Sequence, residues 1–338
     1  MADAAFVSCG GAGAPQGRRR EVVVSGKRVK TVDVHAHCAV PAAMALMERK
    51  LETEALLMGD TRERLRAMDA QGIDVEALSI NPYWYGADRD VATELIRIQN
   101  EALAEICAAQ PDRFVAFASV ALQHPDLAVK QLEHGVKRYG LRGAGLGGSV
   151  EGLELSDPKF HPFWARAEAL GVLVFIHPQG TAELERTGRL AGNGLLTNTI
   201  GNPLETTIAL SHLIFEGTLD RFPGLKICAA HGGGYLPSYA ARSNAVQTTF
   251  PHRMTGTLKK RPTEYLRQLY FDSIVFTPEA LRHLAAEAGP GQIVMGTDYP
   301  CPWTQTSVDH ILGTPELSDA DKVAMLGGTA MALLGIKG

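Results

Sequence analysis

Short apolar segments alternate with amphipathic helical segments from residue 31 to the end of the chain, and this alternation limits the possible folds most. Eight segments of strand length are nearly all apolar, which is typical of strands buried on both faces of a parallel sheet. They begin at residues 31, 73, 113, 141, 172, 225, 269 and 293, and a helical segment follows each. The count and the regular spacing favour a (β/α)8 barrel over an open, doubly wound sheet.

Two segments precede this pattern. Residues 1–20 are rich in Ala and Gly, end in three arginines and have no periodic apolar face. We therefore expect a flexible N-terminal tail there. Residues 21–30 contain two short strand-like runs around Ser25-Gly26, which predicts a β-hairpin. The sequence thus predicts one barrel domain over residues 21–338, with the hairpin at its start.

Composition argues against several classes of function. The formal net charge of −4 over 338 residues provides no strong field for binding nucleic acid or an anionic membrane. No segment is long and apolar enough to span a membrane, so we expect a cytoplasmic protein. No Gly-x-Gly-x-x-Gly follows the first strand and no P-loop occurs, which argues against nucleotide cofactors. The five cysteines lack Cys-x-x-Cys spacing, which argues against a disulfide framework or a thiolate zinc site.

Histidine and aspartate side chains stand at the ends of four predicted strands. In His35-Ala-His37 the alternation of a strand directs both imidazoles to one face, where they can bind one metal ion. His177, His231 and Asp298 follow strands 5, 6 and 8. Catalytic groups of such barrels lie at the C-terminal ends of strands, so all five residues are expected at one rim. The alternative for each histidine is a lone packed imidazole bonded to a backbone carbonyl, but four at one rim favour a metal site.

Five stretches share their order and spacing with one known group of enzymes. They cover nearly the whole chain after about residue 30 and comprise Val32–His37, His177-Pro178, Phe222–Gly234, Tyr270–Phe276 and Gly296–Pro300. In these stretches the chain resembles the amidohydrolase superfamily, and within it the family of aminocarboxymuconate semialdehyde decarboxylase.

The resemblance implies a role for each residue at the rim. His35, His37, His177 and Asp298 match the ligands of one divalent metal, most often zinc, with manganese as the alternative. His231 matches the acid/base residue beside the metal-bound water. Three neutral imidazoles and a carboxylate leave a coordination position for water, whose pKa zinc lowers to about 7. Asp298 is therefore expected to be both a ligand and part of the catalytic machinery.

Further carboxylates bear on the number of metals and on their setting. Superfamily members with two metals bridge them with a carboxylated lysine on strand 4, and residues 143–148 contain no lysine. One metal is therefore expected. Asp33 shares the strand face of His35, and Asp272 ends strand 7. Each is expected either to orient a ligand imidazole or to make a buried structural hydrogen bond.

Two arginines bear on the substrate. Arg242 lies eleven residues past His231, where the decarboxylase family has an arginine that enters the neighbouring subunit's site and binds substrate carboxylate. The resemblance thus implies a homodimer, and the alternative is an ordinary surface arginine. The family's other substrate-binding arginine follows strand 1. Here that segment contains only Arg49, in a predicted helix over residues 47–50, so aminocarboxymuconate semialdehyde is not implied as the substrate.

We therefore predict a metal-dependent, non-oxidative decarboxylase of an aromatic or conjugated carboxylic acid, with His231 as acid/base and Arg242 binding a carboxylate. The aromatic residues Tyr83-Trp84-Tyr85 and Trp303 are expected either to wall a planar substrate or only to pack loops. One alternative is a hydrolase or hydratase that uses the same site. Another is a barrel that binds a metal or metabolite without turnover, which the complete set of ligand and acid/base residues disfavours.

Overall fold

The computed structural model describes residues 19–254, 256–303 and 306–337, and within them eight parallel strands alternate with helices. The strands are β1 Val32–His37, β2 Val75–Ser79, β3 Phe114–Ala116, β4 Gly143–Leu146, β5 Leu173–Ile176, β6 Lys226–Ala229, β7 Leu269–Asp272 and β8 Ile293–Val294. The main helices are α1 Arg62–Gln71, α2 Arg89–Ala109, α3 Pro125–Tyr139, α4 His161–Leu170, α5 Asn202–Phe215, α6 Leu236–Thr249, α7 Pro278–Ala288 and α8 Thr329–Leu334. Shorter helices cover Pro41–Ala45, Ala182–Arg186, Thr218–Arg221, Ser307–Gly313 and Asp319–Val323.

Backbone hydrogen bonds join these strands into a ring. Strands β1 to β3 pair in parallel, as do strands β4 to β8. At one seam the amide of Ala118 donates to the carbonyl of Gly143 at 2.8 Å. At the other seam the amide of Asp298 donates to the carbonyl of His35 at 2.8 Å. The predicted (β/α)8 barrel is confirmed, and the C-terminal ends of all eight strands share one rim.

Helix boundaries follow local backbone chemistry. The Asp88 carboxylate accepts the amide of Val91 at 2.9 Å and caps the start of α2. Gly72 and Gly140 end α1 and α3 in the left-handed conformation that glycine adopts at low cost. The sequence pattern predicts one helix over residues 203–219, and this prediction is wrong at its end. The left-handed Gly217 separates α5 from the short helix Thr218–Arg221.

The sequence pattern also predicts one closing helix over about residues 318–334, and in the structure this helix is interrupted. A π-helical turn, Ala324–Gly328, divides it between Asp319–Val323 and α8. Gly327 in this turn packs so closely on the start of β1 that a Cβ there would lie 2.0 Å from the Lys30 carbonyl oxygen. The close approach to β1 accounts for the local change in helix winding, which the periodicity of the sequence does not reveal.

The N-terminal hairpin forms where it is predicted. Val23–Val24 pairs antiparallel with Lys27–Arg28. Residues 1–18 of the predicted tail lie outside the described residues. Arg19 and Arg20, its last two residues, form ion pairs with Asp74 and Asp309.

No helix among the described residues has the length and apolar character needed to cross a bilayer. The cytoplasmic location stays a prediction.

His310, in the short helix Ser307–Gly313, is a buried histidine that predicts how stability depends on pH. Neither ring nitrogen has a hydrogen-bond partner among the described residues. Burial lowers the pKa of His310 below its usual value. A histidine in an unfolded chain titrates near about pH 6.5. Around and below this pH, His310 therefore binds more protons in the unfolded state than in the folded state. The free energy of unfolding should consequently decrease as the pH falls through this range.

We expect His310→Leu to unfold with a weaker pH dependence than the parent protein. The substitution removes a buried group without hydrogen bonds, which typically costs about 1–3 kcal/mol, so the variant should also be more stable under mildly acidic conditions. Urea unfolding at about pH 5.5 and about pH 8 measures both effects. The exposed His283→Leu variant is the control. If His310→Leu and the parent lost equal stability between these two pH values, the prediction would be contradicted.

Candidate metal centre

All five residues predicted at the rim converge in the structure. Nε2 of His35 lies 3.0 Å from Nε2 of His37 and 3.1 Å from Oδ1 of Asp298. The ring centroid of His177 lies 4.6 Å from that of His37 and 5.0 Å from that of His35. Nε2 of His231 lies 3.6 Å from Oδ2 of Asp298. The His231 side chain is 15% exposed, whereas the other four residues are buried.

The donor atoms fit a single divalent metal. Those of His35, His177, His231 and Asp298 all lie within 4.8 Å of one another. His37 joins them through Nε2, which lies 3.1 Å from Oδ1 of Asp298. Imidazole and carboxylate groups are ligands that suit zinc and manganese. Five donors thus surround one centre, and these distances are compatible with a ligand set that contains either His37 or His231.

Buried charge determines the protonation of these donors. Burial opposes a charged His35, but Asp298 and then Asp272 outweigh this effect and raise the pKa of His35 to about 10. Burial and the neighbouring imidazoles lower the pKa of His177 well below its usual value. Burial opposes an ionised Asp298, yet the adjacent histidines, first His35, hold the pKa of its carboxyl far below the usual range. At neutral pH a cation at this centre therefore meets an ionised carboxylate and a neutral His177, and it binds His35 by displacing a proton from that ring.

The loop after β6 presents His231 through an unusual turn. The φ angles of the four consecutive residues His231–Gly234 are +54°, +61°, +78° and +65°. A Cβ at Gly232 would lie 2.4 Å from Cγ1 of Val275, and one at Gly234 would lie 2.1 Å from the Pro203 carbonyl oxygen. Conformation and space both require glycine at these positions, which explains the His-Gly-Gly-Gly sequence. The turn carries the imidazole of His231 to the centre of the rim.

Of the two carboxylates predicted to orient an imidazole, Asp272 contacts one and Asp33 does not. Oδ2 of Asp272 lies 2.6 Å from Nδ1 of His35. Asp33 instead accepts the backbone amides of His35 and Thr297 at 2.9 and 3.1 Å. Asp33 therefore links the backbone of β1 to the backbone that follows β8.

The end of β4 is filled by side chains from neighbouring loops and from α5. The amide of Gly147 donates to the hydroxyl of Tyr85 at 3.2 Å. A Cβ at Gly148 would lie 2.7 Å from Cγ of Glu205, whose carboxylate accepts the amide of Gln179 at 2.5 Å. Glu205 thereby anchors the loop that follows His177. Sequence reasoning missed this residue because it lies in the first turn of a helix rather than at the end of a strand.

The predicted aromatic wall is only partly available to a ligand. Trp84 is fully buried and its indole N–H donates to the Val120 carbonyl at 2.9 Å, so it packs a loop. Tyr85 is also buried, and Tyr83 is half-buried. Trp303 is 39% exposed and packs edge-to-face on the exposed Phe276, with ring centroids 4.9 Å apart. Apolar aromatic surface at this rim therefore lies on the loops after β7 and β8.

Arg49 and Arg242 are both exposed. Arg242 lies on α6 and forms no ion pair or side-chain hydrogen bond with the described residues of its own chain. The predicted helix over residues 47–50 is wrong, because the helix in this segment is Pro41–Ala45 and Glu48 has a left-handed φ of +51°. The guanidinium carbon of Arg49 lies 6.0 Å from the ring centroid of Tyr83.

A comparison with known protein families identifies the family. Residues 32–336, which include every candidate site residue, match the family described as amidohydrolase. The chain belongs to this family. The resemblance read from the sequence is thereby confirmed.

Similar relatives of this amidohydrolase are decarboxylases. The 2-amino-3-carboxymuconate-6-semialdehyde decarboxylase of Dictyostelium discoideum is 29% identical over 308 residues, which cover 90% of this chain and 85% of the relative. The gamma-resorcylate decarboxylase of a Rhizobium species is 31% identical over 303 residues, which cover 86% and 91% of the two chains. The amidohydrolase therefore groups with carboxy-lyases.

Solved structures support this grouping. The 5-carboxyvanillate decarboxylase of Sphingomonas paucimobilis has a TM-score of 0.82 and 25% identity to this chain. The match covers 91% of this chain and 100% of the decarboxylase. The dihydroxybenzoic acid decarboxylase of a Polaromonas species was solved with bound manganese and the inhibitor 2-nitroresorcinol. It has a TM-score of 0.79 and 27% identity, with 91% and 97% of the two chains covered.

Proposed function

We propose that the protein is a metal-dependent, non-oxidative decarboxylase of an aromatic or conjugated carboxylic acid. The observation that carries this proposal is the meeting of four imidazoles and the Asp298 carboxylate at one barrel rim, in a chain whose relatives are decarboxylases. The proposed ligands are His35, His37, His177 and Asp298. Zinc is the proposed ion, and manganese is the alternative because a relative was solved with it.

The metal, when bound, supplies a Lewis acid that polarises a substrate oxygen or a water molecule. His231 is the proposed acid/base residue because it is the most exposed of the four histidines and its Nε2 faces Asp298. In the proposed reaction His231 delivers a proton to the carbon that bears the carboxylate. The carbon–carbon bond then breaks, its electron pair restores the conjugated system, and carbon dioxide leaves. Such proton transfer typically contributes about 10²–10⁴-fold to the rate.

The aromatic pair Phe276 and Trp303 is the proposed apolar surface for a planar substrate. Both side chains remain exposed although they contact each other, and both lie on loops that follow strands of the site. A flat conjugated ring matches such a surface in shape and polarity. The absence of a second arginine matching the family's motif after β1 supports a substrate other than aminocarboxymuconate semialdehyde.

Metal content together with release of carbon dioxide tests the proposed function. Elemental analysis of the purified protein should find about one divalent metal per chain. A panel of hydroxybenzoic and muconate-type acids should include at least one that releases carbon dioxide, and chelation should stop the release. A bound metal without carbon dioxide from any acid would instead favour hydrolysis or hydration at the same site. Absence of metal after reconstitution would contradict the proposal altogether.

We also propose that the working unit is a homodimer in which Arg242 binds substrate carboxylate in the partner's site. The support is an exposed face of α6 on which Tyr239 and Val246 lie at helical spacing with Arg242, and an exposed Phe250 follows directly after the helix. Aromatic residues and arginine are enriched at protein–protein interfaces relative to the rest of the surface. A guanidinium is suited to a carboxylate through two parallel hydrogen bonds.

Mixing of inactive variants tests this dimer. We expect Arg242→Ala and His177→Ala each to be inactive, and unfolding and refolding the two together to restore about a quarter of parental activity. Half of the dimers are then mixed, and each mixed dimer contains one complete site. The control is a mixture of His35→Ala with His177→Ala, in which every site lacks a ligand. Verified mixed dimers without any recovery would place Arg242 outside the partner's site.

A further inference from the structure

Asp272, the last residue of β7, has a fully buried carboxylate that accepts four hydrogen bonds. Its Oδ2 accepts Nδ1–H of His35 at 2.6 Å and the backbone amide of His231 at 2.8 Å. Its Oδ1 accepts the amides of Gly232 and Ile274 at 2.9 and 3.1 Å. One oxygen thus contacts both a proposed metal ligand and the residue proposed to move the proton.

The contact with Asp272 determines which nitrogen of His35 faces the centre. An ionised carboxylate only accepts hydrogen bonds, so Nδ1 of His35 must carry the proton. When a metal displaces the other proton, the ring is neutral and Nε2 carries a free lone pair. Nε2 is also the atom that lies 3.1 Å from Oδ1 of Asp298. Asp272 therefore holds His35 in the tautomer that binds a metal through Nε2.

The second contact holds the His231 turn. A left-handed backbone is unfavourable for a residue with a side chain, by roughly 1–2 kcal/mol, and persists where neighbouring structure enforces it. His231 has this conformation at φ +54°. The two amides at the start of the turn, those of His231 and Gly232, both donate to Asp272. The carboxylate therefore fixes the part of the turn from which the imidazole of His231 projects.

We propose that Asp272 is a positioning residue whose single carboxylate holds both the metal ligand His35 and the acid/base residue His231 in place. The part concerning His231 rests on the proposed function. The part concerning His35 requires only that the site binds a metal. Removing the carboxylate should thus weaken metal binding and, separately, slow the reaction of the metal-loaded protein.

Asp33 provides a matched control. It is also fully buried, lies two residues from His35 and accepts the His35 amide at 2.9 Å. Its other partners are the amide and hydroxyl of Thr297, and no imidazole hydrogen-bonds to it among the described residues. Asp33→Asn removes a buried carboxylate beside the same metal ligand without removing an imidazole contact.

The first experiment compares Asp272→Asn with Asp33→Asn. In Asp272→Asn one acceptor oxygen becomes an NH2 group, which cannot accept hydrogen bonds. Two of the four donors therefore lose their acceptor, either those of His35 and His231 or those of Gly232 and Ile274. Zinc affinity, measured without substrate by competition with a chelator, should fall by about 10–100-fold in Asp272→Asn and clearly less in Asp33→Asn. At saturating zinc, kcat should still be lower by at least about tenfold in Asp272→Asn, with KM little changed. Unchanged zinc affinity, or equal losses in the two variants, would overturn the proposal.

The second experiment uses the unaltered protein, so it is decisive even if Asp272→Asn does not fold. Nitrogen-15 NMR of histidine-labelled, zinc-loaded protein should show the ring of His35 protonated at Nδ1 and bound to zinc through Nε2. The signal is assigned to His35 by its loss in His35→Gln. A His35 ring protonated at Nε2 would overturn the proposal. These zinc and NMR measurements need no substrate, so failure to release carbon dioxide would reject the decarboxylase function without affecting them.

Discussion

Replacing His231 with alanine is expected to leave the metal bound and to lower kcat by roughly 10²–10⁴-fold, the usual contribution of a general acid or base. The four proposed ligands do not include His231, and Nε2 of His231 lies 3.6 Å from the nearer carboxylate oxygen of Asp298. The side chain is also partly exposed, so its removal leaves the buried ligands packed as before. Elemental analysis and steady-state kinetics on the same preparation measure both effects. His283→Ala, at an exposed histidine on α7, is the control.

His37→Ala should be compared with His231→Ala. Either histidine completes a set of four donors with the other three residues of the centre, which are His35, His177 and Asp298. We expect His37→Ala to lose the metal and His231→Ala to keep it. The opposite pattern would make His231 a ligand and would remove it from the acid/base role. The two variants therefore distinguish two assignments that the distances alone leave open.

Replacing His177 with alanine is expected to abolish both metal binding and activity. His177 lies on the loop directly after β5, it is buried, and its depressed pKa keeps it neutral and able to bind a cation at neutral pH. Loss of one of four ligands removes most of the affinity of such a site, since the remaining donors no longer enclose the ion. Chelation of the parent protein should have the same effect on activity, and added zinc or manganese should reverse it.

Activity that survives in metal-free His177→Ala, or in chelated parent protein, would contradict a metal-dependent reaction. Thermal unfolding with and without metal provides a second measurement. An ion that binds only the folded state raises the melting temperature by mass action. We expect this increase in the parent protein and not in His177→Ala.

The barrel and the residues at its rim could be predicted because both depend on local patterns. Apolar runs of strand length indicate each strand, and polar residues directly after them indicate the rim, which places His35, His177, His231 and Asp298 together. Residues that support the rim from helices carry no such signal. Arg64, in the first turn of α1, is buried and donates to the His37 carbonyl at 2.7 Å, yet its position suggests a solvated helix face.

The errors in the prediction have the same origin. The closing helix is interrupted where Gly327 approaches Lys30, nearly three hundred residues earlier in the chain. Trp84 appears in the sequence as one of three adjacent aromatic residues, but only the folded loop determines that its indole points inward to Val120. Contacts between distant residues decide these features, and hydrophobic periodicity does not encode them.

The crowded end of β4 limits how this protein can change during evolution or engineering. A lysine at Gly147 would place its Cβ 3.2 Å from both Tyr85 and Gln179, and one at Gly148 would overlap Glu205. A lysine at either of these two positions would therefore require neighbouring side chains to move. At Gly148 the displaced side chain would be Glu205, which also holds the loop that follows His177. A bridging lysine for a second metal at Gly148 would thus disturb the loop that carries the proposed ligand His177.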